Sequence, residues 1–532
     1  AGRIAGVDVT STSGVPGAST SITIRGVSSI SSSNQPLIIV DGLPVDNKTL
    51  NTRVFASDRP GSTTAFNNRG VDFTNRAADI EPENIETLTV LKGPEAAALY
   101  GIDAANGAIV ITTRRGQTGG GVEYSNNIQA ETPRGRPEIQ RIYGPTSASG
   151  DVLSRFEYFG APYAPGTTFY DNVDGFFQTA VTTRHNLVFS GADTDSKLNY
   201  RVSASSTQQN GVVPNSRYDR VNLVGASRAQ VNTWLIADLS MNYSYATNDQ
   251  PLKGASGANT TQVGVGSPLL GLLLWPQTDN AKDYLTPAGT RRRLTLLAAG
   301  NEIDNPYFNV QKNRSNSRTN RLIANLGLTV TPFSWGYLKT NIGSDGYTNE
   351  NQLLRHSESA LGFNNQGILD LATDVSRDLS AQTVFNVTPR ALTPSISVSG
   401  LVGHFIYDHK STTDALVGMK FLDPNFVSIN NTQEKQNWTT DEQRRLVSVF
   451  GSATVDYRQF LYLTVQGRND WTSTIPQGSN SFFYPSVSTS FIFSDAIPSL
   501  GRFMTGKIRV GYAEVGKDAR PYAYRPSLEN KT

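Results

Sequence analysis

The chain has no cysteine, only four histidines and no long apolar run. The absence of cysteine excludes disulfides, thiol catalysis and cysteine-bound zinc, but it does not distinguish among bacterial compartments. No stretch approaches the roughly 20 apolar residues that a transmembrane helix needs. The longest apolar run, residues 269–275, is short and flanked by prolines. No signal peptide is evident, and the chain starts at Ala1 without methionine, so we expect a processed or trimmed product.

Histidine and charge give little indication of a metal site or a charged partner. His404 and His409 are five residues apart in a strand-like region, so their side chains are expected on opposite faces. Because a metal site needs convergent ligands, we predict no metal site and no cofactor. The 47 Lys and Arg nearly balance the 45 Asp and Glu, so the net charge of +2 does not indicate a nucleic-acid partner.

The 532 residues exceed one ordinary domain unless the fold is a large barrel. Residues 1–116 contain continuous apolar segments such as PLIIVDG (36–42), which are typical of a small buried sheet. The segment QTGGG (117–121) is a flexible break. Beyond it the pattern changes to long alternating strands, so we predict a compact α/β domain at 1–116, a linker at 117–121 and a second unit at 122–532.

The segment IETLTVLKGPEAAALYGIDAANGAIVITT (85–113) predicts a strand, a short helix and a second strand. The first strand should end near Lys92, and Pro94 fits the first helical position. Gly101 can adopt the left-handed conformation that ends a helix. Asn106-Gly107 is a turn signal before the apolar strand at 108–113. The alanines allow the helix to lie close to a sheet.

The second unit alternates apolar and polar residues over long segments. In residues 234–245 the apolar side chains fall on one face and Asp238, Ser240, Asn242 and Ser244 on the other. The same alternation occurs in the segments 198–205, 321–330, 379–387, 396–406, 446–457, 460–467, 485–493 and 507–515. One apolar and one polar face are compatible with a soluble sandwich or with a membrane barrel.

Three features favour the barrel. Strands near ten residues long suit a tilted bilayer crossing, and several end in aromatic residues that suit the membrane interface. Short and long connections alternate: the turn near Gln459 is tight, whereas 247–318, 347–377 and 408–445 are predicted as long polar loops. We interpret the pattern as 12 or 13 strands. The aromatic stripes on the strands are expected to face lipid and to have no binding role.

Four ordered blocks of sequence resemble the SusC/RagA branch of TonB-dependent outer-membrane transporters. The first combines Ile-Arg-Gly (24–26) with PLIIVDG (36–42). The second is Leu91-Lys92-Gly93 with Ala96-Ala97, Tyr100-Gly101, Ala104 and Asn106-Gly107. The third joins RNDWTS (468–473) to YPSVS (484–488), and the fourth joins KIRVGY (507–512) to VG (515–516).

This resemblance implies an all-β transmembrane barrel whose lumen holds an N-terminal α/β plug domain. The family barrel has 22 strands, of which about half to 60% would lie in residues 122–532, together with long extracellular loops. The family is about twice this length, and its TonB box and N-terminal extension are not evident here. Because an open half-barrel would expose unpaired strand edges to lipid, we expect a truncated chain or a fragment completed by another chain.

The resemblance also implies a function. It predicts import of oligosaccharides or peptides across the outer membrane of a Gram-negative bacterium, with no enzymatic activity. The expected partners are a SusD-like surface lipoprotein, TonB with its inner-membrane complex, outer-membrane lipid and a possible second copy. The alternatives are a siderophore- or cobalamin-type receptor, and a surface scaffold or adhesin that does not transport. A glycosidase would need two carboxylates at one site, whereas the acidic residues are scattered.

No catalytic residue is predicted. The plug-motif residues expected to have a structural or gating role are Arg25, Gly26, Asp41, Gly42, Lys92, Gly93, Tyr100, Gly101 and Gly107. Arg25 and Lys92 would either lock the plug to carboxylates of the barrel wall or face lumen water, and Asp41-Gly42 fits a turn. The long loop 43–78 is the candidate ligand contact, through Arg53, Phe55, Arg59, Phe66, Asn67, Asn68 and Arg69. The aromatic segment 143–177 is expected to line the cargo cavity, dock the lid or pack on itself.

Overall fold

The computed structural model describes residues 4–11, 13–27, 33–50, 54–58, 71–92, 95–146, 158–195, 197–252, 267–294 and 303–523. In these ranges the strands form a two-stranded sheet, a four-stranded sheet and a 13-stranded sheet. We call the two small sheets and their connections the plug, and the 13-stranded sheet the wall. No helix within these ranges is long and apolar enough to cross a membrane.

In the described part of the plug there are six short strands, one α-helix and several 3-10 turns. Strands β1 (Val7–Ser11) and β2 (Thr20–Ile24) pair as a hairpin. The four-stranded sheet has the order β4-β3-β6-β5, with β3 parallel to β6 and the other pairs antiparallel. Its strands are β3 (Leu37–Val40), β4 (Leu43–Val45), β5 (Ile85–Leu91) and β6 (Ala108–Thr113).

The predicted strand–helix–strand unit is confirmed as β5, helix α1 (Glu95–Tyr100) and β6. Gly101 follows the helix with a φ of +83°, in the region that favours glycine. Ala96 packs with Ile39, Ala104 and Ala108 in a fully buried cluster, so small side chains bring the helix close to the sheet. Gly93 and Pro94 lie outside the described residues.

The wall is an antiparallel meander in which each strand pairs with the next, and its 13 strands agree with the predicted 12 or 13. They are β7 (Val122–Glu131), β8 (Ala180–Ala192), β9 (Leu198–Asn210), β10 (Arg217–Gln230), β11 (Leu235–Pro251), β12 (Arg314–Phe333), β13 (Gly336–Arg355), β14 (Ile368–Thr393), β15 (Ile396–Phe421), β16 (Thr432–Tyr457), β17 (Leu461–Thr472), β18 (Ser481–Ile492) and β19 (Lys507–Ala513).

The two faces of the wall have opposite chemistry. On β11, Leu239, Met241 and Tyr243 are exposed, whereas Ser244 and Asn248, on the opposite face and farther along the strand, are buried. A soluble sandwich would bury the apolar face, so this arrangement belongs to a barrel with lipid outside and polar contacts inside. The plug lies against the polar inner face, where Asn248 donates a hydrogen bond to Thr74 Oγ1 at 2.9 Å.

Two predicted loops are wrong. Most of 347–377 belongs to β13 and β14, and most of 408–445 belongs to β15 and β16. The strands β14, β15 and β16 are each 26 residues long. In their outer halves the simple alternation in hydropathy fails although the backbone pairing continues, because residues 432–445 of β16 are almost all polar, whereas Ile368 of β14 and Val417 of β15 are buried against the plug. The tight turn near Gln459 is confirmed, since Arg458 and Gln459 both have positive φ between β16 and β17.

The prediction that strand aromatics face lipid holds for Tyr243 and Tyr245, which are exposed on the outer face. It is wrong for Phe405, Phe450 and Tyr484, which face inward and pack with Ile102 of the plug. One-residue differences in register decide the face of a strand residue, and sequence alone does not fix that register.

Short helices occupy the connections. Helices α2 (Asn172–Phe176), α3 (Pro268–Leu274) and α4 (Pro306–Lys312) lie in the long connections and pack through Phe176, Leu272 and Val310. Asn305 caps α4 by accepting hydrogen bonds from the backbone N–H groups of Tyr307 and Phe308. Helices α5 (Phe493–Ala496) and α6 (Pro498–Gly501) lie between β18 and β19.

Candidate functional site

The contact between plug and wall is the candidate functional site, and residues 76–84 (RAADIEPEN) are its largest element. We call them the acidic strip. Two short 3-10 turns, Arg76–Asp79 and Pro82–Asn84, shape the strip, and the Asn75 side chain caps the first by accepting a hydrogen bond from Ala77 N–H. Tight turns of this kind, with Pro82 starting the second, place successive carboxylates along one edge of the plug.

Arg321 of β12 holds two separate plug segments. Its guanidinium lies 3.0 Å from Asp79 of the acidic strip and 2.6 Å from Asp345 of β13. It also donates hydrogen bonds of 2.7 Å to the carbonyl oxygens of Arg76 and Asp46. The side chains of Arg321 and Asp79 are both 1% exposed, so these charges depend on one another for compensation.

The rest of the acidic strip is bound by strands β7 to β10. Arg220 pairs with Glu81 at 2.7 Å, and both side chains are buried. Ser205 also donates a hydrogen bond to Glu81, at 2.9 Å. Farther along, Glu83 accepts hydrogen bonds from Ser125 and Asn186, and Asn84 accepts one from Ser203 at 3.0 Å. The nine residues of the strip therefore bridge to β7, β8, β9, β10 and β12.

A second contact joins two of the sequence blocks that carry the family resemblance. The backbone N–H of Ile102, next to Gly101, donates a hydrogen bond of 3.0 Å to Asp470 of β17. Asp470 pairs with the fully buried Arg468 at 2.6 Å. A Cβ atom on Gly101 would lie 2.6 Å from Arg468 Nη2, so the close approach requires glycine there. Arg444 of β16 adds an ion pair to Asp103 at 2.9 Å.

A third contact lies at residues 54–58. Ser57 donates hydrogen bonds to Asp370 of β14 from its backbone N–H (3.1 Å) and its hydroxyl (2.6 Å). Arg355 pairs with the same carboxylate at 3.3 Å. Phe55 is fully buried beside them, in an apolar cluster with Phe73, Leu353 and Val417. Like the second contact, where Arg468 and Asp470 lie beside the cluster around Ile102, this contact combines buried charge with an apolar core.

Four of the plug-motif residues form turns or pack within the plug. Asp41 (φ +49°) and Gly42 (φ +95°) form the turn between β3 and β4. The Asp41 carboxylate accepts hydrogen bonds from Thr113 N–H at 3.0 Å and Thr113 Oγ1 at 2.7 Å. Gly107 has a φ of +91°, and a Cβ atom there would lie 2.7 Å from the Leu91 carbonyl oxygen. Tyr100 packs at the edge of the cluster around Ile39.

Arg25 and Lys92 do not lock the plug to the wall. Lys92 is half-buried and donates a hydrogen bond of 2.5 Å to the carbonyl oxygen of Ala5, inside the plug. Arg25 is exposed at the turn after β2, where its φ is +58° and that of Gly26 is +92°. In the part of the chain that the structure describes, no wall carboxylate is within ion-pair distance of either. The ion pairs of the acidic strip and of Asp103 have the opposite polarity, with acids on the plug and arginines on the wall.

Of the seven predicted ligand-contacting residues in the loop 43–78, Phe55 is the one described, and its burial removes its ring from any open surface. The other candidates, Arg53, Arg59, Phe66, Asn67, Asn68 and Arg69, lie outside the described residues. The aromatic segment 143–177 is divided. Phe159 is 86% exposed, whereas Phe176 is buried against the ring of Tyr307 at 5.2 Å between centroids. Within the described ranges, no group of three potential ligands could hold a metal ion.

The wall residues of the site were not predicted. Arg220, Arg321 and Arg468 each occupy an inward position on a strand whose other inward residues are mostly polar. A lone arginine on such a face is a usable signal because an unpaired charge inside a filled lumen would be costly. The sequence does not identify the partner, which for Arg321 and Asp79 is 242 positions away.

The buried side chain of His356 packs among the loops beyond the outer ends of β12 and β13. His356 Nδ1 accepts a hydrogen bond of 3.2 Å from Glu358 N–H, and the ring packs edge-on against Phe308 at 5.6 Å. Burial, with a smaller contribution from Lys312, lowers the pKa of His356 to about 4. The imidazole is therefore neutral at physiological pH, as its acceptor role requires.

Comparisons with known proteins agree with this architecture. The family model of the TonB-dependent Receptor Plug Domain matches residues 1–108. TonB-dependent receptor SusC of Bacteroides thetaiotaomicron is 36% identical over 228 residues, which cover 41% of this chain and 19% of that protein. TonB-dependent receptor P26 of Formosa agariphila is 22% identical over 97% of this chain and 49% of its own length.

Solved structures show the same fold. The RagAB peptide transporter has a TM-score of 0.71 at 18% identity, covering 98% of this chain and 59% of that chain. The unliganded ferric citrate transporter FecA has a TM-score of 0.53 at 12% identity, covering 92% of this chain and 57% of that chain. The chain spans about half the length of the relatives that it matches from end to end.

Proposed function

We propose that this chain, which is the plug and part of the barrel wall of a SusC/RagA-type TonB-dependent transporter of the outer membrane, belongs to an importer of oligosaccharides or peptides. The observation that carries the proposal is the bound plug. Fully buried ion pairs such as Arg321–Asp79 fix the plug to the inner face of the wall. A lumen filled in this way does not conduct like an open pore, so passage of a large solute requires the plug to be displaced.

Displacement of the plug needs an external source of energy. Breaking one buried ion pair costs about 3–5 kcal/mol, and this interface has two, Arg321–Asp79 and Arg220–Glu81, in addition to the buried hydrogen bonds from Ser57 to Asp370. We propose that TonB, driven by the inner-membrane proton gradient, supplies this energy by pulling on the N-terminal side of the plug. Two hydrogen bonds would transmit the pull into the plug: Lys92 to the carbonyl of Ala5, and Arg25 N–H to the carbonyl of Gly6 at 2.8 Å.

The outer side of the chain offers surfaces for a lid. Residues 142–146 and 158–163 form a small hairpin-like element in which Gly144 N–H donates a hydrogen bond to the carbonyl of Ala161. Ile142 and Phe159 are exposed on it, at 64% and 86%. We propose that a SusD-like surface lipoprotein covers this side during import. The fold shared with the RagAB peptide transporter supports a peptide cargo. The higher sequence identity to SusC supports a cargo of the kind that SusC imports.

The proposal is tested by purification from native outer membranes. The complete protein that contains this chain is extracted in mild detergent, and everything that copurifies is identified by mass spectrometry. We expect a SusD-like lipoprotein in near-stoichiometric amount, together with bound oligosaccharide or peptide. A complete barrel without a lid, or one that carries an iron chelate or unrelated envelope proteins, would favour the siderophore-type or scaffold alternative.

A further inference from the structure

Two basic residues lie directly opposite each other on the outer face of the wall. Arg377 of β14 is paired in register with Lys410 of β15, and the next pair in the ladder is Asp378 with His409. Asp378 and His409 point into the lumen, where the carboxylate contacts Nδ1 at 2.5 Å. Arg377 and Lys410 therefore point outward, and both are exposed. Within the described residues, neither side chain makes an ion pair or a hydrogen bond.

This pair of like charges lacks compensation from the protein. Like charges directly opposite each other destabilise a sheet. The two acids nearest in register, Asp408 and Asp441, are already engaged: Asp408 pairs with Arg445 at 3.2 Å, and Asp441 accepts a hydrogen bond of 2.7 Å from a threonine of β15. Opposite Arg377 on its other side is Gly346 of β13, which has no side chain. The outer surface therefore has room beside two free cations, and an anion from outside would stabilise them.

The pair lies near the outer boundary of the lipid-facing surface. Leu379 and Ile406, on the periplasmic side of the pair, are apolar and exposed, so they face acyl chains. Near the periplasmic end of β14, the Phe385 ring packs on Trp335 at 5.8 Å. Arg377 is eight residues farther out than Phe385, which is about 20 Å of height at about 3.3 Å per residue and a tilt of about 40°. The apolar band of a barrel is about 25 Å tall, so the pair is at the level of lipid headgroups.

A groove of about 510 Å³ lies farther out on the same face of the wall. Arg318 of β12 and Glu350 of β13 line it, lie opposite each other in register and are both exposed. Asp249 of β11 and Thr373 of β14 line its two sides. Thr373 is four residues farther out than Arg377, which is about 13 Å along the strand. The groove therefore presents donors and acceptors for hydroxyl groups just beyond the basic pair.

We propose that this face binds the phosphorylated glycolipid of the outer leaflet. Arg377 and Lys410 bind one of its phosphates, and the groove between β11 and β14 takes sugar residues of the same headgroup. Basic side chains at a membrane surface attract anionic lipids, and hydrogen bonds between a guanidinium or ammonium group and a phosphate are among the strongest in proteins. The ligand faces the outside of the barrel, so the site is separate from any cargo that passes through the lumen.

The order of the two parts favours a glycolipid over other occupants of this face. A glycolipid of this class carries phosphate next to its acyl chains and sugars farther out, which is the order of the basic pair and the groove. A phospholipid such as phosphatidylglycerol offers a phosphate but has no sugar chain to fill about 510 Å³. A second copy of the chain would have to present an acidic surface to Arg377 and Lys410 at the boundary of the lipid.

The test measures lipid binding by the complete protein in mild detergent, using native mass spectrometry. The probes are a lipopolysaccharide with a short core, the same lipid after phosphatase treatment, core-free lipid A and phosphatidylglycerol. The test variant is Arg377→Gln with Lys410→Gln. The matched control is Arg458→Gln with Lys197→Gln, which removes one arginine and one lysine from exposed turns at the periplasmic end of the wall. Thr373→Trp partly fills the groove without changing the charge.

We expect the lipopolysaccharide to bind the wild type and the control alike, and to bind Arg377→Gln with Lys410→Gln at least tenfold more weakly. Phosphatase treatment should weaken binding to the wild type by a similar factor, and this comparison does not depend on the folding of any variant. Phosphatidylglycerol should bind the wild type at least tenfold more weakly than the lipopolysaccharide. Thr373→Trp should weaken binding of the lipopolysaccharide but not of core-free lipid A.

Three results would overturn the inference. The first is equal binding of the lipopolysaccharide to the wild type and to Arg377→Gln with Lys410→Gln, or equal binding before and after phosphatase treatment. The second is binding of phosphatidylglycerol as tight as that of the lipopolysaccharide, which would mean that any anionic headgroup suffices. The third is loss of a dimer in the test variant with unchanged lipid binding, which would assign the pair to contact with a second copy.

Discussion

Substitution of Arg321 by methionine is expected to loosen the plug without unfolding the wall. The wild-type guanidinium is 1% exposed and satisfies Asp79, Asp345 and two plug carbonyl groups. Methionine fills much of the same volume but supplies no donor. The variant therefore leaves two buried carboxylates without their main partner, which is the condition under which a broken buried ion pair destabilises strongly.

The size of the expected loss in stability depends on the partners that Asp79 and Asp345 keep in the Arg321→Met variant. Removal of one member of a buried pair costs about 3–5 kcal/mol. Arg76 remains 3.4 Å from Asp79 and offsets part of the loss, so we expect a value near the lower end, about 3 kcal/mol. Because 1.4 kcal/mol is a factor of ten, opening of this contact should become roughly 100-fold more frequent.

Hydrogen exchange with mass spectrometry on the complete protein in detergent measures that opening. Peptides covering the acidic strip should exchange about 100-fold faster in Arg321→Met, while peptides of β16 and β17 should not change. Arg228→Met is the matched control, because Arg228 pairs with Asp238 at 3.2 Å on the same wall but its side chain is 50% exposed. An exposed pair contributes at most about 1 kcal/mol.

Restoration of charge balance provides a second control. Addition of Asp79→Asn and Asp345→Asn to Arg321→Met removes the orphaned charges, and exchange of the strip should slow towards the wild-type rate. Equal exchange in Arg321→Met and wild type would refute the reasoning, because it would mean that the buried pair does not hold the plug.

Further predictions concern three other positions. An alanine at position 101 would be strained by about 1–3 kcal/mol, because of the φ of +83° and the close approach of Arg468. Gly101→Ala should therefore lower the melting temperature by several degrees. Gly225→Ala is the control and should leave the melting temperature unchanged, because its φ is not positive and no heavy atom lies within 4 Å of a Cβ there. The pKa of the His356 side chain falls from 6.5 in the unfolded chain to about 4 in the folded chain. The loops packed around His356 therefore keep their full stability above pH 6.5 and lose about 2 kcal/mol of folding free energy by pH 5. Limited proteolysis of 303–313 should therefore speed up at pH 5 in wild type, whereas in His356→Asn it should be independent of pH. Asp41→Ala should destabilise the plug by about 1–2 kcal/mol in chemical denaturation, and Asp41→Asn by less, because asparagine keeps an acceptor for Thr113 and tolerates positive φ.

The elements that could be predicted from the sequence are those set by local chemistry. The helix α1 and its flanking strands follow from the alanines and from Gly101, and the lipid-facing residues of β11 follow from a period of two. The outer halves of β14 to β16 could not be predicted in this way. Residues 432–445 of β16 are almost all polar, and the apolar residues of β14 and β15 there, such as Ile368 and Val417, are buried against the plug. Backbone pairing continues there although the alternation of the membrane-facing segments does not.

The candidate site was less predictable because its pairs are distant in sequence. The plug blocks around Tyr100-Gly101 and the wall block at Arg468-Asn469-Asp470 were both recognised, but their contact through Ile102 and Asp470 spans 368 positions. Lys92 lies in a family motif and was therefore a candidate for an ion pair with the wall, whereas it donates a hydrogen bond to the carbonyl oxygen of Ala5. Pairing across a lumen depends on strand register and plug orientation, which no local pattern encodes.

The central claim is that the bound plug makes import dependent on TonB. The most direct test measures uptake of the copurified cargo by cells that express the complete protein, with TonB present, with TonB deleted, and with the proton gradient dissipated. The account predicts uptake only when TonB and the gradient are both present. Equal uptake in all three conditions would contradict it, because solute would then be passing a lumen that the plug does not close.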